Sequence, residues 1–222
     1  MCRSKVDIET MILWLGGDLI TGYIHEELME NNQLSPTQAC LELFKILISG
    51  IDFFVEHSGC KQILIPTSPG NHGRTTKEKR ISTSCQNSYE WLLYNFLSLH
   101  YKDSKVVKVY VSESYFTYMD VYDYKLRFHH GDALKYQGGI GGIVIPANKA
   151  IDQWNKANRA NWDVFGHFHT RMCTSNFVSN GSVIGYGPYS ISIKAAYEPP
   201  QQSFFLVHPR YGKTIDAPII CQ

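Results

Sequence analysis

Residues 61–74 have the sequence Lys-Gln-Ile-Leu-Ile-Pro-Thr-Ser-Pro-Gly-Asn-His-Gly-Arg, in which an apolar run gives way to a polar, glycine-rich turn. The apolar part predicts a strand over Lys61–Pro66, and the polar part predicts a tight loop over Pro69–Arg74. The amide of Asn71 and the imidazole of His72 therefore follow the carboxyl end of a strand. In open α/β sheets, ligand sites form at that edge.

The same arrangement recurs on both sides of this stretch. Upstream, Met11–Gly16 predicts a buried strand that ends in Gly17-Asp18. Downstream, a predicted hairpin ends in His129–Asp132, and a predicted strand over Trp162–Phe165 ends in Gly166-His-Phe-His169. Because Asp, Asn and His without Cys suit hard or borderline metals, these strand ends favour a divalent-metal site.

The rest of the pattern alternates helices and strands in the first half and is mostly β in the second. It predicts an α/β (α+β) fold in a single domain over residues 1–222. The further predicted elements are helices over Ser35 to about Glu56, Ser88 to Tyr101 and Lys149–Ala160, and strands over Val106–Val111, Tyr115–Met119, Asp123–Phe128 and within the tail from Met172 to Ile215. A glycine-rich run, Gly138–Gly142, predicts either a phosphate-binding loop or a mobile loop.

Composition limits the classes of partner. The chain has 222 residues, with 21 Lys and Arg against 20 Asp and Glu, so no global field attracts nucleic acid or a membrane surface. No apolar run approaches the roughly 20 residues of a membrane span, and the N-terminus has no signal-like apolar segment. Six scattered cysteines without a Cys-x-x-Cys pair indicate buried free thiols. We therefore expect a cytoplasmic protein without membrane contact.

Four short blocks carry a family resemblance: Gly17-Asp18, Gly70-Asn71-His72, His130-Gly131 and Gly166-His167-x-His169. The calcineurin-like metallophosphoesterases have the pattern D-x-H, G-D, G-N-H-[DE], H and G-H-x-H, and the chain resembles the last four blocks in order. The resemblance implies a four-layer αββα sandwich, with two sheets face to face and helices outside. It also implies a phosphoesterase whose two divalent ions, about 3.5–4 Å apart, hold a phosphate and supply hydroxide for in-line attack.

The resemblance implies a metal ligand at each of five positions. Asp18 bridges both ions, while Asn71, His130 and His167 complete the ligands of the first ion. His169 binds the second ion, and in an extended segment its side chain points to the same face as that of His167. Mn, Fe, Zn and Ni all accept this set of donor atoms.

His72 is the implied catalytic residue. In the resembled family this histidine stabilises phosphoryl charge or protonates the leaving oxygen, which suits an imidazole. The acid that follows it in the family, and normally orients it, is replaced here by Gly73-Arg74. Arg74, Lys77 and Arg80 lie in a basic loop, which predicts either contacts to a substrate phosphate or nucleic-acid backbone, or a solvated loop.

The first family block, D-x-H, has no counterpart in the sequence. We therefore expect an N-terminally truncated version of the fold that lacks the first strand. One ion would be well held, whereas the second site would be weakened by the loss of an Asp and a His. Asp7, His25 and Glu26 are candidates to replace the missing ligands.

Three short stretches are similar to phosphoesterase-like proteins of tailed bacteriophages, namely Gly17-Asp-Leu-Ile-Thr-Gly22, Gly70-Asn-His-Gly-Arg74 and Asn180-Gly-Ser-Val-Ile-Gly185. This resemblance implies the cytoplasm of an infected host. The favoured function is metal-dependent hydrolysis of a phosphodiester in nucleic acid or a nucleotide, by metal-hydroxide attack, with a phosphomonoester as the next choice. The alternative is a degenerate or split-gene fragment with one metal or none and little activity. Such a fragment would act as a binding module or require a separately encoded N-terminal piece.

Overall fold

A computed structural model describes residues 7–136, 142–192 and 194–221 of the chain. Contacts divide the chain into two compact units, the first ending at Thr117 and the second beginning at Tyr118. Each unit has its own parallel strands and its own apolar core.

The first unit is built on a three-stranded parallel sheet. Its strands are β1 (Thr10–Ile12), β2 (Gln62–Pro66) and β3 (Val107–Tyr110), in the order β1-β2-β3. Ile63 lies opposite Met11 on one side and Val107 on the other. Because all three strands run in the same direction, their carboxyl ends meet at one edge of the sheet.

Helices α1 (Glu26–Asn31), α2 (Pro36–His57) and α3 (Tyr89–His100) connect these strands. Helix α2 begins at a capping box in which the Ser35 side chain accepts the Gln38 N–H, with proline in the first turn. Ser88 caps α3 by accepting the N–H of Glu90. The buried core of the unit consists of Leu15, Ile51, Ile63, Ile65, Tyr94, Leu97, Tyr101 and Val107.

The second unit contains a five-stranded sheet and a two-stranded antiparallel sheet. The larger sheet has the order β4-β5-β6-β8-β7, in which β5, β6 and β8 are parallel neighbours. Its strands are β4 (Thr117–Val121, which begins at the unit boundary), β5 (Tyr124–Phe128), β6 (Trp162–Phe165), β7 (Met172–Cys173) and β8 (Phe177–Ser179). The smaller sheet pairs β9 (Gln201–His208) with β10 (Gly212–Ile220).

Helix α4 (Val144–Ala157) covers the larger sheet, and a short helix α5 spans Pro188–Ser192. Ala147 and Ile151 of α4 join Phe165 of β6 and Phe177 of β8 in one buried apolar cluster. Burying these side chains stabilises the unit, since it removes apolar area from water.

The mixed α/β fold class is confirmed, and the sequence pattern located α2, α3, β2 and β6 within a residue or two. The predicted strand over Met11–Gly16 differs, because only Thr10–Ile12 is a strand and it is half-buried, although Leu15 still pairs with Thr67. Helix α4 begins at Val144 rather than Lys149. Helices α1 and α5 were not predicted, and residues 137–141 of the glycine-rich run lie outside the described residues. The single domain and the four-layer stacking stay predictions.

Two expectations about solubility and thiols can be compared with the structure. In the part of the chain that the structure describes, no helix is both long enough and apolar enough to cross a membrane. Five cysteines are described and all are free, but only Cys85 is buried; Cys40, Cys60, Cys173 and Cys221 are half-buried. The expectation of buried thiols is therefore correct for Cys85 and wrong for the other four.

Candidate metal and phosphate site

The loop after β1 and the loop after β2 pack directly against each other. Beyond the strands, Leu15 donates its N–H to Pro66 O at 3.0 Å and accepts the N–H of Ser68 at 2.9 Å. Gly17 has φ +81°, and a Cβ at this position would lie 2.6 Å from the Cα of Gly70. Only glycine permits this approach, so the loop that contains Gly17 and the loop that contains Gly70 pack together at the edge of the sheet.

This packing fixes Asp18 against the His72 backbone. The Asp18 Oδ1 atom accepts the N–H of His72 at 2.8 Å. Asn71 lies between Gly70 and His72 in the same loop and is half-buried. The structure therefore brings the predicted ligands Asp18 and Asn71 together with the predicted catalytic residue His72 in the first unit.

The His72 ring is oriented by a backbone carbonyl rather than by an acid. Its Nδ1 atom lies 2.9 Å from Thr21 O. Because a carbonyl only accepts, Nδ1 carries the hydrogen and Nε2 is the ring atom available for proton transfer in the neutral tautomer. Thr21 was not predicted, since its contribution is a main-chain oxygen that no side-chain pattern reveals.

A second imidazole stands beside His72. The ring centroids of His25 and His72 are 5.3 Å apart. Partial burial lowers the pKa of His25, and the nearby His72 and Arg74 lower it further. His25 is one of the three suggested replacement ligands, and all three, His25, Asp7 and Glu26, are exposed residues. These substitutions stay predictions.

In the second unit, two histidines follow adjacent parallel strands. His130 comes two residues after β5, and His167 comes two residues after β6. Gly166 donates its N–H to His130 O at 2.8 Å, and the two imidazole centroids are 5.1 Å apart. His130 is only 2% exposed. The structure therefore brings these two predicted ligands into contact.

Three predicted ligands adopt a backbone conformation that side chains rarely take. Asp18 has φ 52°, His167 has φ 68° and His169 has φ 53°, and the described residues contain only two other non-glycine positions with positive φ. His167 and His169 are thus both in the left-handed region, and the extended geometry expected for this segment was wrong. Such conformations cost roughly 1–3 kcal/mol each and are concentrated at functional sites.

A buried charged network lies beneath the two histidines. Arg127 of β5 and Asp163 of β6 are cross-strand partners, joined by hydrogen bonds of 2.7 Å (Nε to Oδ1) and 2.9 Å (Nη2 to Oδ2). The His129 Nε2 lies 3.3 Å from Asp163 Oδ1, and burial lowers the pKa of His129. His129 is therefore an interior residue. This network was not predicted, because Arg127 and Asp163 are single charged residues in two strands and the sequence does not show that they pair.

The basic loop after His72 is held by its own arginine. Arg74 donates from Nη1 to Asn71 O at 2.9 Å and from Nε to Thr76 O at 3.2 Å. Lys77 and Arg80 are exposed. Arg74 therefore orders the loop, while the two neighbouring cations face solvent.

The donor atoms of these side chains suit a divalent cation. The first unit offers a carboxylate and an amide, Asp18 and Asn71, on a loop fixed by backbone contacts. The second offers the paired imidazoles of His130 and His167. Oxygen donors like the first pair and imidazole nitrogens like the second each bind Mn, Fe, Zn or Ni.

Comparison with known proteins gives distant structural similarities. No known protein family and no curated protein matches the chain. Among solved structures, it is similar to Vps29 of Cryptosporidium parvum (13% identity, 96% of this chain, 98% of that chain, TM-score 0.40). It is also similar to Vps29 of Entamoeba histolytica complexed with Zn²⁺ (13% identity, 77% and 89%, TM-score 0.39). A predicted phosphoesterase of Streptococcus pneumoniae gives 13% identity, 88% and 80%, and a TM-score of 0.35. Similarity at this level does not assign a function.

Proposed function

We propose that the protein is a metal-dependent phosphoesterase that hydrolyses a phosphodiester of nucleic acid or a nucleotide. The observation that carries the proposal is the left-handed backbone at Asp18, His167 and His169. Each strained residue has a metal-binding side chain and follows the carboxyl end of a parallel strand. Strain of this kind persists only where the surrounding structure enforces it, and a binding site is a common reason.

In this proposal, Asp18, Asn71, His130 and His167 hold one ion. Asp18 and His169 would hold a second ion more weakly, because two protein ligands rarely retain a divalent cation. Bound divalent ions supply Lewis-acid charge and lower the pKa of a water molecule. The chain's own contribution is to fix the ligands before the ion arrives, as the Asp18 hydrogen bond to the His72 N–H does in the first unit.

His72 would act on the leaving oxygen. Its Nδ1 hydrogen is committed to Thr21 O, so a proton on Nε2 is the one available for donation. When the phosphoester bond breaks, that proton neutralises the departing oxygen and leaves the ring in its neutral tautomer. The Thr21 carbonyl keeps the ring oriented throughout the transfer.

The basic loop supports a polyanionic substrate. Lys77 and Arg80 are exposed on a loop that Arg74 orders from within. Exposed cations on an ordered loop contact phosphates without reading the bases, so we expect little sequence preference. A nucleic-acid phosphodiester is accordingly favoured over a small phosphomonoester.

The proposal is tested by metal content and turnover. We expect the purified protein to bind Mn²⁺ and to hydrolyse bis-p-nitrophenyl phosphate faster than p-nitrophenyl phosphate. Asp18→Asn and His167→Ala should each reduce both Mn²⁺ binding and turnover at least tenfold. The exposed His57→Ala and His208→Ala serve as matched histidine controls and should change neither.

Two results would contradict this function. If Asp18→Asn and His167→Ala retain wild-type binding and turnover, the ligand assignment is wrong. If the folded wild-type protein binds Mn²⁺ but hydrolyses neither ester, the chain is a metal-binding module, as the alternative interpretation of the sequence predicts.

A further inference from the structure

Glu90 is a fully buried carboxylate that the sequence pattern did not single out. It lies in the first turn of α3 and is 0% exposed. Its Oε1 accepts the N–H of Leu19 at 2.5 Å, and its Oε2 accepts the N–H of Gly70 at 2.6 Å. Burying a carboxylate is costly unless hydrogen bonds compensate, and here each carboxylate oxygen accepts one backbone N–H.

The two donors belong to the two loops that carry the proposed ligands. Leu19 directly follows Asp18, and Gly70 directly precedes Asn71. One carboxylate therefore joins the loop after β1 to the loop after β2. Tyr94, one turn further along α3, adds a contact to the loop after β2, because its hydroxyl donates to Ser68 O at 3.3 Å.

Gly73 provides the space for this carboxylate. A Cβ at Gly73 would lie 2.9 Å from the Cγ of Glu90 and 3.3 Å from its Oε2. Gly73 is not among the glycines with positive φ, so its backbone would accept a side chain. The Glu90 side chain therefore reaches the two loops from α3, and the residue after His72 must be small to leave space for its carboxylate.

We propose that Glu90 is a positioning residue, whose buried carboxylate holds the Asp18 loop and the Asn71–His72 loop in the geometry that binds the metal. This inference rests on the proposed function for its metal, but the loop contacts that it concerns are independent of that function. Glu90 itself binds neither metal nor substrate. It acts through the Leu19 and Gly70 amides.

The amide protons give a direct test that needs no metal. Short hydrogen bonds to a carboxylate move amide proton resonances downfield, so the Leu19 and Gly70 resonances of the full chain should lie downfield. Glu90→Gln keeps the shape of the side chain but replaces one acceptor oxygen by a donor NH₂ group. We expect at least one of the two resonances to move upfield in this variant.

Mn²⁺ affinity gives the functional test, by calorimetry with Mn²⁺ alone. Residues that orient ligands typically change metal affinity by about 10–100-fold, so Glu90→Gln and Glu90→Ala should each weaken Mn²⁺ binding at least tenfold. Ser88→Ala is the matched control, because it removes the cap of the same helix and leaves the Glu90 carboxylate intact. It should lower the melting temperature while leaving Mn²⁺ affinity within twofold of wild type.

A relocation of the acid separates positioning from simple loss of packing. In the double variant Glu90→Ala with Gly73→Glu, the new side chain can place a carboxylate where Oε2 of Glu90 was. We expect this double variant to recover most of the Mn²⁺ affinity that Glu90→Ala loses. Gly73→Glu alone should bind Mn²⁺ poorly, because the two side chains compete for one space.

The outcomes distinguish the two proposals. Wild-type affinity in Glu90→Gln and Glu90→Ala, unchanged amide resonances in Glu90→Gln, or an equal loss of affinity in Ser88→Ala would overturn the positioning role. Failure of the wild-type protein to bind Mn²⁺ would overturn the proposed function, and the amide resonances would still decide whether Glu90 holds the two loops.

Discussion

At the scale of single residues, the left-handed conformation of His167 opposes stability in the absence of metal. A side chain at φ 68° places its Cβ against the backbone, which costs roughly 1–2 kcal/mol, whereas glycine avoids this cost. We therefore expect His167→Gly to be about 1 kcal/mol more stable than His167→Ala after allowing for the greater entropy of unfolded glycine. Urea denaturation of the two metal-free variants measures the difference. Equal stabilities would show that the backbone at this position is not strained.

The thiol of Cys40 should react slowly in the folded protein. Burial raises the pKa of its thiol from the usual 9.0 to about 11, and the charge of Glu90 adds to the effect. Because the thiolate is the reactive form, alkylation of Cys40 at pH 8 should be about 100-fold slower in the folded protein than in the urea-unfolded one. Iodoacetamide labelling followed by peptide mass spectrometry measures both rates, and similar rates in the two states would contradict the raised pKa.

At the scale of elements, local signals account for what the sequence could predict. Helix α2 was located because Ser35 and Pro36 give an N-cap followed by proline at the first helical position; the Gln38 part of its capping box was seen only in the structure. Helix α4 was placed too late, because Ile143 offers no capping side chain and the β-branched residues that follow favour a strand. The strand-end ligands were predicted from their residue types at the ends of predicted strands and from the family resemblance. Glu90 was missed because its partners are distant amides, although its spacing from Leu93, Tyr94 and Leu97 places it on the buried stripe of α3.

The Arg127–Asp163 ion pair joins β5 to β6 in the observed register. Arg127 and Asp163 are both fully buried, and the pair lies three or four residues before His130 and His167. Asp163→Ala leaves a buried guanidinium without its counter-ion, so it should cost about 3–5 kcal/mol in the free energy of unfolding. The double variant Arg127→Met with Asp163→Leu should recover most of that loss.

The control for the buried ion pair is an exposed ion pair with a similar N···O distance. Lys45 and Glu42 lie 2.8 Å apart on α2 with most of their charge in water. Glu42→Ala should therefore cost less than about 1 kcal/mol. If Asp163→Ala costs no more than Glu42→Ala in chemical denaturation, the buried pair does not stabilise the strand register.

At the scale of the whole molecule, the proposed ligand set draws on both units of the chain. Asp18 and Asn71 belong to the first unit, and His130 and His167 belong to the second. A ligand that binds only the folded state stabilises it by mass action, and saturation at 100 times the dissociation constant is worth about 2.7 kcal/mol. Stabilisation by an ion therefore reports whether the four residues act as one site.

We expect Mn²⁺ to raise the melting temperature of the wild-type protein and to have little effect on either Asp18→Asn or His167→Ala. If residues of both units bind the same ion, a substitution in either unit removes part of its coordination. Each substitution should therefore abolish the rise in melting temperature that Mn²⁺ causes. Thermal scans with and without Mn²⁺, with His57→Ala and His208→Ala as controls, measure this. A shift that survives Asp18→Asn but not His167→Ala would confine the metal to the second unit and contradict the shared site.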